Sequence, residues 1–208
     1  IDALRRLGGG RVTDVAEELN LAPSTVHAHL NTLENNRYLT KEGDEYGLGL
    51  QFLDLGGYVR QSYEYCSLAS STVERLAEET QTRAHFIVEE HGHGVFLFVE
   101  SGPQAIETYS REGRRFWLHQ SAGGKAILAA LPDSRVREIV DRWGLPRQTP
   151  ATITDADEVF ECLERIRERD GIAFNDGEQV EGIRAVGAPV RLPNGRVLGA
   201  LSISGAAH

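Results

Sequence analysis

Residues 12–48 carry two short amphipathic helix patterns, a proline-marked turn between them and then a hairpin, an order that leaves few folds open. The stretch Val12-Thr-Asp-Val-Ala-Glu-Glu-Leu-Asn-Leu-Ala-Pro-Ser-Thr-Val-His-Ala-His-Leu-Asn-Thr-Leu reads as helix, turn, helix. Pro23 suits the first turn of the second helix, because the N–H it lacks would be unpaired there anyway. Val26, Leu30 and Leu33 then fall at i, i+4 and i+7 and form a core-facing stripe. Tyr38-Leu-Thr-Lys-Glu-Gly-Asp-Glu-Tyr-Gly-Leu follows as a hairpin. A helix-turn-helix trailed by a hairpin predicts a winged helix, an arrangement that seats one helix in a groove of double-stranded DNA.

Rotating by 100° per residue puts Ser24, Ala28, Asn31 and Asn35 opposite the stripe, and Thr25, His27 and Thr32 flank these four. The expected DNA-binding set is therefore Ser24, Thr25, His27, Ala28, Asn31 and Thr32, with Lys41 from the hairpin. Asn31 carries the amide that can pair bidentately with an adenine edge. His29 falls beside the stripe and is expected as a half-buried packing residue. The charge has the wrong sign for gripping phosphate, since residues 1–60 hold 6 Lys and Arg against 9 Asp and Glu.

Composition supplies a way out of that contradiction. The 208 residues include 20 Arg but only 2 Lys, Lys41 and Lys125, and the net charge is −9. An acidic, Lys-poor chain of this kind resembles proteins of salt-loving archaea. At molar salt the Debye length falls to about 3 Å, which erases long-range repulsion between an acidic surface and DNA. No apolar run approaches the roughly 20 residues that span a bilayer, and no signal peptide is visible, so no membrane role and a cytoplasmic location are expected. Ile1-Asp-Ala-Leu-Arg-Arg-Leu reads as the tail of a helix whose beginning is missing. Cys66 and Cys162 are too few for a disulfide framework and are expected as reduced, packed thiols.

Three zones follow along the chain: a winged helix over 1–50, a linker helix over 51–66 and a mixed α+β domain over 67–208. Helical spacing runs from Gln51 to about Thr80, with a break expected near Gly56-Gly57 or Ser67. Ala84–Val88 and Val95–Val99 are β-prone runs separated by His91-Gly-His-Gly, a hairpin turn. A strand near 105–111 and helices near 121–131, 134–142 and 155–169 come next, the last capped by Thr154. Strands near 184–192 and 196–204 flank Pro193-Asn194-Gly195, whose Asn-Gly is the strongest short hairpin signal. The later zone is thus expected to hold a largely antiparallel sheet.

Several segments carry a family resemblance. Leu21-Ala-Pro-Ser-Thr-Val-His, Leu30 with Leu33, and Tyr46-x-Leu48-Gly49 resemble the winged-helix half of IclR-type transcriptional regulators. His119-Gln-Ser-Ala-Gly-Gly-Lys-Ala, Gly171-Ile-Ala-Phe-Asn-Asp-Gly-Glu178, Ala188-Pro189-Val190 and Ala200-Leu-Ser-Ile-Ser-Gly205 resemble the other half, in the same order and spacing. The resemblance implies a linker helix, a GAF-like effector domain that binds a small metabolite, and assembly as a homodimer or tetramer. Two positions depart from the family: Ala28 stands where Arg often follows the recognition-helix His, and the wing tip Glu42-Gly-Asp-Glu45 is acidic.

Carried over residue by residue, the resemblance places an effector site at Ala122, Gly123, Asn175, Ala185, Ser202 and Ser204, with Thr108 as a further wall residue. The residues support it independently: Ser121-Ala-Gly-Gly opens a helix whose free N–H groups favour an anion, and Ser202 and Ser204 share one strand face. A carboxylate metabolite of sugar or aromatic-acid breakdown is the expected ligand. Asn175 is placed in the loop before Glu178, Arg184 on the face opposite Ala185, and Lys125 in a structural or interface role. No catalytic residue, cofactor or metal is expected, and His91 and His93 read as solvated turn residues. A protein-interaction module without DNA binding, or an enzyme built on the GAF-like domain, are the alternative readings.

Overall fold

Two units form separately in the computed structural model, residues 1–64 and 65–208, and the described residues are 1–106 and 110–207. In the first, helices α1 (Asp2–Leu7), α2 (Val12–Leu19) and α3 (Pro23–Asn35) pack with strands β1 (Gly10–Arg11), β2 (Leu39–Glu42) and β3 (Glu45–Leu48), and α4 (Gln51–Gln61) follows. Asp14 starts α2 by accepting the Arg11 N–H at 2.8 Å, and Asn20 ends it in the left-handed region at φ 52. Pro23 opens α3, as expected from the sequence. Val26 and Leu30 meet Leu4, Val15, Ala16, Leu39 and Tyr46 in one small core, with Leu33 at its margin. The wing strands pair antiparallel in the order β1-β3-β2.

The long helical zone breaks at 62–65, between α4 and α5 (Cys66–Thr80). Gly56 and Gly57 lie inside an uninterrupted α4 instead, and Ser67 lies inside α5. Tyr65 takes φ 62 at the start of α5, so the interruption is made by the backbone there and not by the glycines.

The second unit is built on a six-stranded antiparallel sheet: β4 (Arg83–Glu90), β5 (His93–Ser101), β6 (Arg115–Trp117), β7 (Ala173–Asp176), β8 (Ile183–Arg191) and β9 (Val197–Ala206). Its order is β6-β5-β4-β9-β8-β7. Helices α6 (Ala122–Ala130), α7 (Asp133–Trp143) and α8 (Ala156–Glu168) complete it, and the main core joins Ile87, Phe96, Leu118, Ile127, Leu128, Val136, Leu163 and Ala200. Of the expected strand at 105–111, residues 107–109 lie outside the described ones and Ala105, Ile106, Ser110 and Arg111 are not in a strand; the edge strand beside β5 is β6. Asp155, not Thr154, caps α8, accepting the Glu158 N–H at 3.1 Å.

Two glycines set how closely α6 approaches the sheet. A Cβ on Gly187 would stand 2.7 Å from the Gly123 nitrogen, and one on Gly123 would stand 2.6 Å from Ile87 Cδ1. Only bare backbone fits at Gly187, so the first turn of α6 lies directly on β8, while a Cβ on Gly123 would need Ile87 to shift. Among the described residues no helix is long and apolar enough to cross a membrane.

Candidate functional site

Each unit carries one site. In the first, Ser24, Thr25, His27, Ala28 and Thr32 are exposed along α3, and Lys41 is exposed on β2. His29 is exposed too, contrary to the half-buried place expected from its position beside the stripe. The core under α3 is small, and Val26 and Leu30 alone fill it from this helix.

Asn31 departs from the expected free face. It is half-buried, its Oδ1 accepts the Tyr46 hydroxyl at 3.1 Å, and its Nδ2 lies 3.4 Å from both ring nitrogens of His27. The wing reaches under the helix and takes one lone pair of the amide oxygen, so an adenine edge would have to share that oxygen with Tyr46. Tyr46 is 1% exposed, and the Lys41 ammonium stands 5.1 Å above its ring. Thr32 spends its hydroxyl proton on the Ala28 carbonyl at 2.9 Å. Arg5, Arg6 and Arg11 face Asp2, Glu18 and Glu45, which leaves Arg37 and Lys41 near α3 and the wing without an ion pair among the described residues.

In the second unit a cavity of about 270 Å³ lies between the sheet and the start of α6. Of the expected residues, Ala122, Asn175, Ala185, Ser202 and Ser204 line it. Gly123 does not: it is turned onto the sheet by the close approach to Gly187. Thr108 lies outside the described residues. Asn175 sits on β7, not in a loop, opposite Ala185 on β8. Its Nδ2 donates to the Gln120 carbonyl, so its side chain is oriented by the segment that leads into α6. Arg184 is on the other face, bonded to Asp176 at 2.8 Å.

Polar groups divide by what they have left to offer. Ser121 Oγ accepts the Gly124 N–H at 2.9 Å and caps α6. The amides of Ala122 and Gly123 belong to the turn whose N–H groups have no intrahelical acceptor. Ser202 donates its hydroxyl to the Val186 carbonyl at 2.9 Å, so toward a ligand it can only accept. Ser204 Oγ makes no hydrogen bond among the described residues and can donate.

A strap over residues 144–154 reaches the cavity through Gln148. Thr149 and Thr152 donate their hydroxyls to the Gly177 and Glu178 carbonyls at 2.8 and 2.7 Å, and Gln148 and Gln179 face the cavity from the two sides of this joint. Gln120 Nε2 donates to the Pro146 carbonyl at 2.8 Å. His119 Nε2 lies 3.2 Å from the same oxygen. Burial pushes the pKa of His119 down, the Pro146 carbonyl opposes that, and Lys125 adds to it. Lys125 itself is buried against Glu178, Nζ to Oε1 2.5 Å, a structural role that joins α6 to the chain after β7.

Sequence reasoning missed His85, Phe96, Ser110, Phe116 and Trp117 as cavity residues. Alternation along β4 puts His85 and Ile87 on one face, and that signal was available. What it lacked was the pairing of His85 with Ser202 across β4 and β9. His93 is not a solvated turn residue: its ring lies 4.5 Å from Trp117 and 4.6 Å from Trp143. His91 is exposed at φ 54. Among the described residues no cluster of three metal-ligating side chains occurs.

Comparison with known proteins agrees with this geometry. Residues 59–208 match the family described as bacterial transcriptional regulator IclR C-terminal, and residues 1–43 match the IclR helix-turn-helix domain. A probable HTH-type transcriptional regulator ArcR of Halobacterium salinarum is 32% identical over 98% of this chain and 79% of its own length. The crystal structure of the Thermotoga maritima IclR superposes with a TM-score of 0.77 at 28% identity, covering 96% of this chain and 81% of the other. An IclR homolog of Microbacterium hydrocarbonoxydans, solved in complex with 4-hydroxybenzoate, has a TM-score of 0.78 at 23% identity and covers 95% of this chain and 82% of the other. The chain belongs to the IclR family of transcriptional regulators, with a DNA-binding helix-turn-helix domain and a ligand-binding C-terminal domain.

Proposed function

We propose that this regulator works in the cytoplasm as a homodimer or tetramer, and that a small monocarboxylate in the cavity controls its grip on an operator. Ser24, Thr25, His27, Ala28, Thr32 and Lys41 meet the DNA in this reading, Asn31 stands behind them, and α4 serves as the linker. The Lys-poor composition and the Halobacterium relative support a saline cytosol as the setting. Relatives named for transcription regulation support a regulator and not an enzyme.

The observation that carries the effector assignment is the start of α6, where Ala122 lines the cavity beside Asn175 and Ser204. A helix N-terminus favours negative charge, and Ser204 adds a hydroxyl donor. With a water occupying about 30 Å³ of liquid, a cavity of about 270 Å³ suits a ligand of roughly ten heavy atoms. The 4-hydroxybenzoate held by the Microbacterium homolog is an acid of that size.

A thermal-shift screen of small carboxylates, followed by protection of upstream DNA at high salt with and without the best acid, tests the reading. Ligand-linked stabilisation with altered DNA protection is expected. Stabilisation without any change in DNA protection would separate the cavity from control of the operator.

A further inference from the structure

Helix α3 ends on a side chain that its backbone disfavours. The Tyr38 N–H donates to the Leu33 carbonyl at 2.9 Å and the Arg37 N–H to the Glu34 carbonyl at 2.8 Å. This pair of bonds closes a helix through one left-handed residue. That residue is Arg37, at φ 64. Glycine takes the conformation freely and asparagine tolerates it, whereas the Cβ of an arginine crowds the carbonyl. The two preceding helices follow the rule: α1 ends on Gly8 at φ 75 and α2 on Asn20 at φ 52.

The fold needs this turn. A Cβ on Gly49 would stand 2.6 Å from the Arg37 carbonyl oxygen, the Gly49 N–H donates to the Tyr38 carbonyl at 2.7 Å, and Tyr38 leans on Phe52 at 5.4 Å. The left-handed step lets the chain leave α3 and pack the end of the wing against this corner. It does not need the arginine side chain. Arg37 is exposed, and its guanidinium has no hydrogen bond, ion pair or ring contact among the described residues. Nothing within this unit repays the strain.

A partner outside the chain can. Helix α3 has 13 residues, a length of about 20 Å, against a major groove about 12 Å wide. Entering by its first turn, a helix longer than the groove is wide brings its last turn to the phosphate wall. The charge at that end is otherwise unfavourable. No basic residue stands in the last turn of α3, a helix C-terminus carries partial negative charge, and the wing tip holds Glu42, Asp44 and Glu45. Arg37 is the cation at this end of the helix.

We propose that Arg37 is a phosphate clamp, which grips one backbone phosphate of the DNA at the C-terminal end of α3. Its planar guanidinium can donate to two phosphate oxygens at once. The strained position fixes where the fork starts from, so the clamp sets how far α3 advances along the groove. Such a contact carries no sequence information and acts alike on every duplex. The inference rests on α3 being the helix that enters the DNA.

Fluorescence-anisotropy titration of the full chain over a salt series, on its own upstream DNA and on a mixed-sequence duplex, tests it with Arg37→Gly, Arg37→Asn and Arg37→Lys. The Gly and Asn variants bind both DNAs about threefold to tenfold more weakly, and the slope of log K against log salt flattens by about 0.9 per chain. Their urea midpoints are unchanged or higher, because both residues suit the left-handed turn. Arg37→Lys keeps the slope and loses affinity only in part. An unchanged slope in both neutral variants overturns the clamp, as does a loss confined to the upstream DNA, which would make Arg37 a base contact. Weaker binding with a lower urea midpoint in both would make Arg37 a structural cap instead. Binding of neither DNA by the unaltered protein removes α3 as the reading helix, and the clamp falls with it.

Discussion

The Tyr46 hydroxyl, on the wing, donates to Asn31 Oδ1 on the recognition helix at 3.1 Å. The bond crosses from β3 to α3 and fixes which end of the Asn31 amide faces outward. With Oδ1 bonded to Tyr46 and Nδ2 beside His27, Asn31 is expected to act as a positioning residue, the wing setting the pose of the exposed face of α3. Tyr46→Phe keeps the buried ring under Lys41 and removes only the hydroxyl. Loss of such a bond costs about 0.5–1.5 kcal/mol of stability. Operator binding weakens by roughly threefold to tenfold, and discrimination among single-base operator variants narrows in competition binding. Unchanged discrimination with the same loss of stability would make the bond purely structural.

Electrostatics give a second prediction. Three of the arginines in the first unit face carboxylates, and Arg37 and Lys41 are the cations near α3 and the wing with none among the described residues. At about two phosphates neutralised per chain, the slope of log K against log salt is roughly −1.8 per chain, close to a tenfold loss between 50 and 200 mM. A fluorescence-anisotropy titration over that range measures it. A slope several times steeper would mean that the DNA contacts extend well beyond α3 and the wing.

Lys125 and Glu178 offer a third test. The ion pair is buried, with side-chain exposures of 5% and 13%, and Glu178 also receives Thr152 from the strap through its backbone carbonyl. Removing one member leaves the other charge desolvated, so Lys125→Met costs about 3–5 kcal/mol in urea unfolding. Replacing both, as Lys125→Met with Glu178→Leu, recovers most of that loss. A double variant as unstable as the sum of the single ones would show that the partners act independently.

These residues also mark how far the sequence could be read. The Val26 and Leu30 stripe, Pro23 at the start of α3 and Ser121 at the start of α6 are local patterns, and local physics produces them. Alternation puts Ser202 and Ser204 on one strand face, and the family resemblance puts that face at the effector site. β7 was not legible: Ala173-Phe-Asn-Asp has two residue types depleted from strands, and Phe174 on this edge strand is 55% exposed. Its pairing with β8 supplies what its composition lacks. His85, the Tyr46 partner of Asn31 and the two tryptophans around His93 share a different obstacle. Each depends on a register or a close approach between segments distant in sequence, and no periodicity encodes that.

Acid should weaken the effector domain for a reason that His85 makes specific. Its pKa falls from 6.5 to about 4 in the folded chain, so between those values the unfolded chain binds a proton that the folded chain refuses. Stability therefore rises with pH across the window and falls as pH drops through it. The shift corresponds to about 3 kcal/mol lost between neutral pH and pH 4. His119, also lowered, adds in the same direction. Urea unfolding at pH 7.5, 6, 5 and 4.5 shows this as a progressive loss, and His85→Gln, which carries no titrating ring, shows a shallower one. Identical pH dependence in the two proteins would place the acid sensitivity elsewhere.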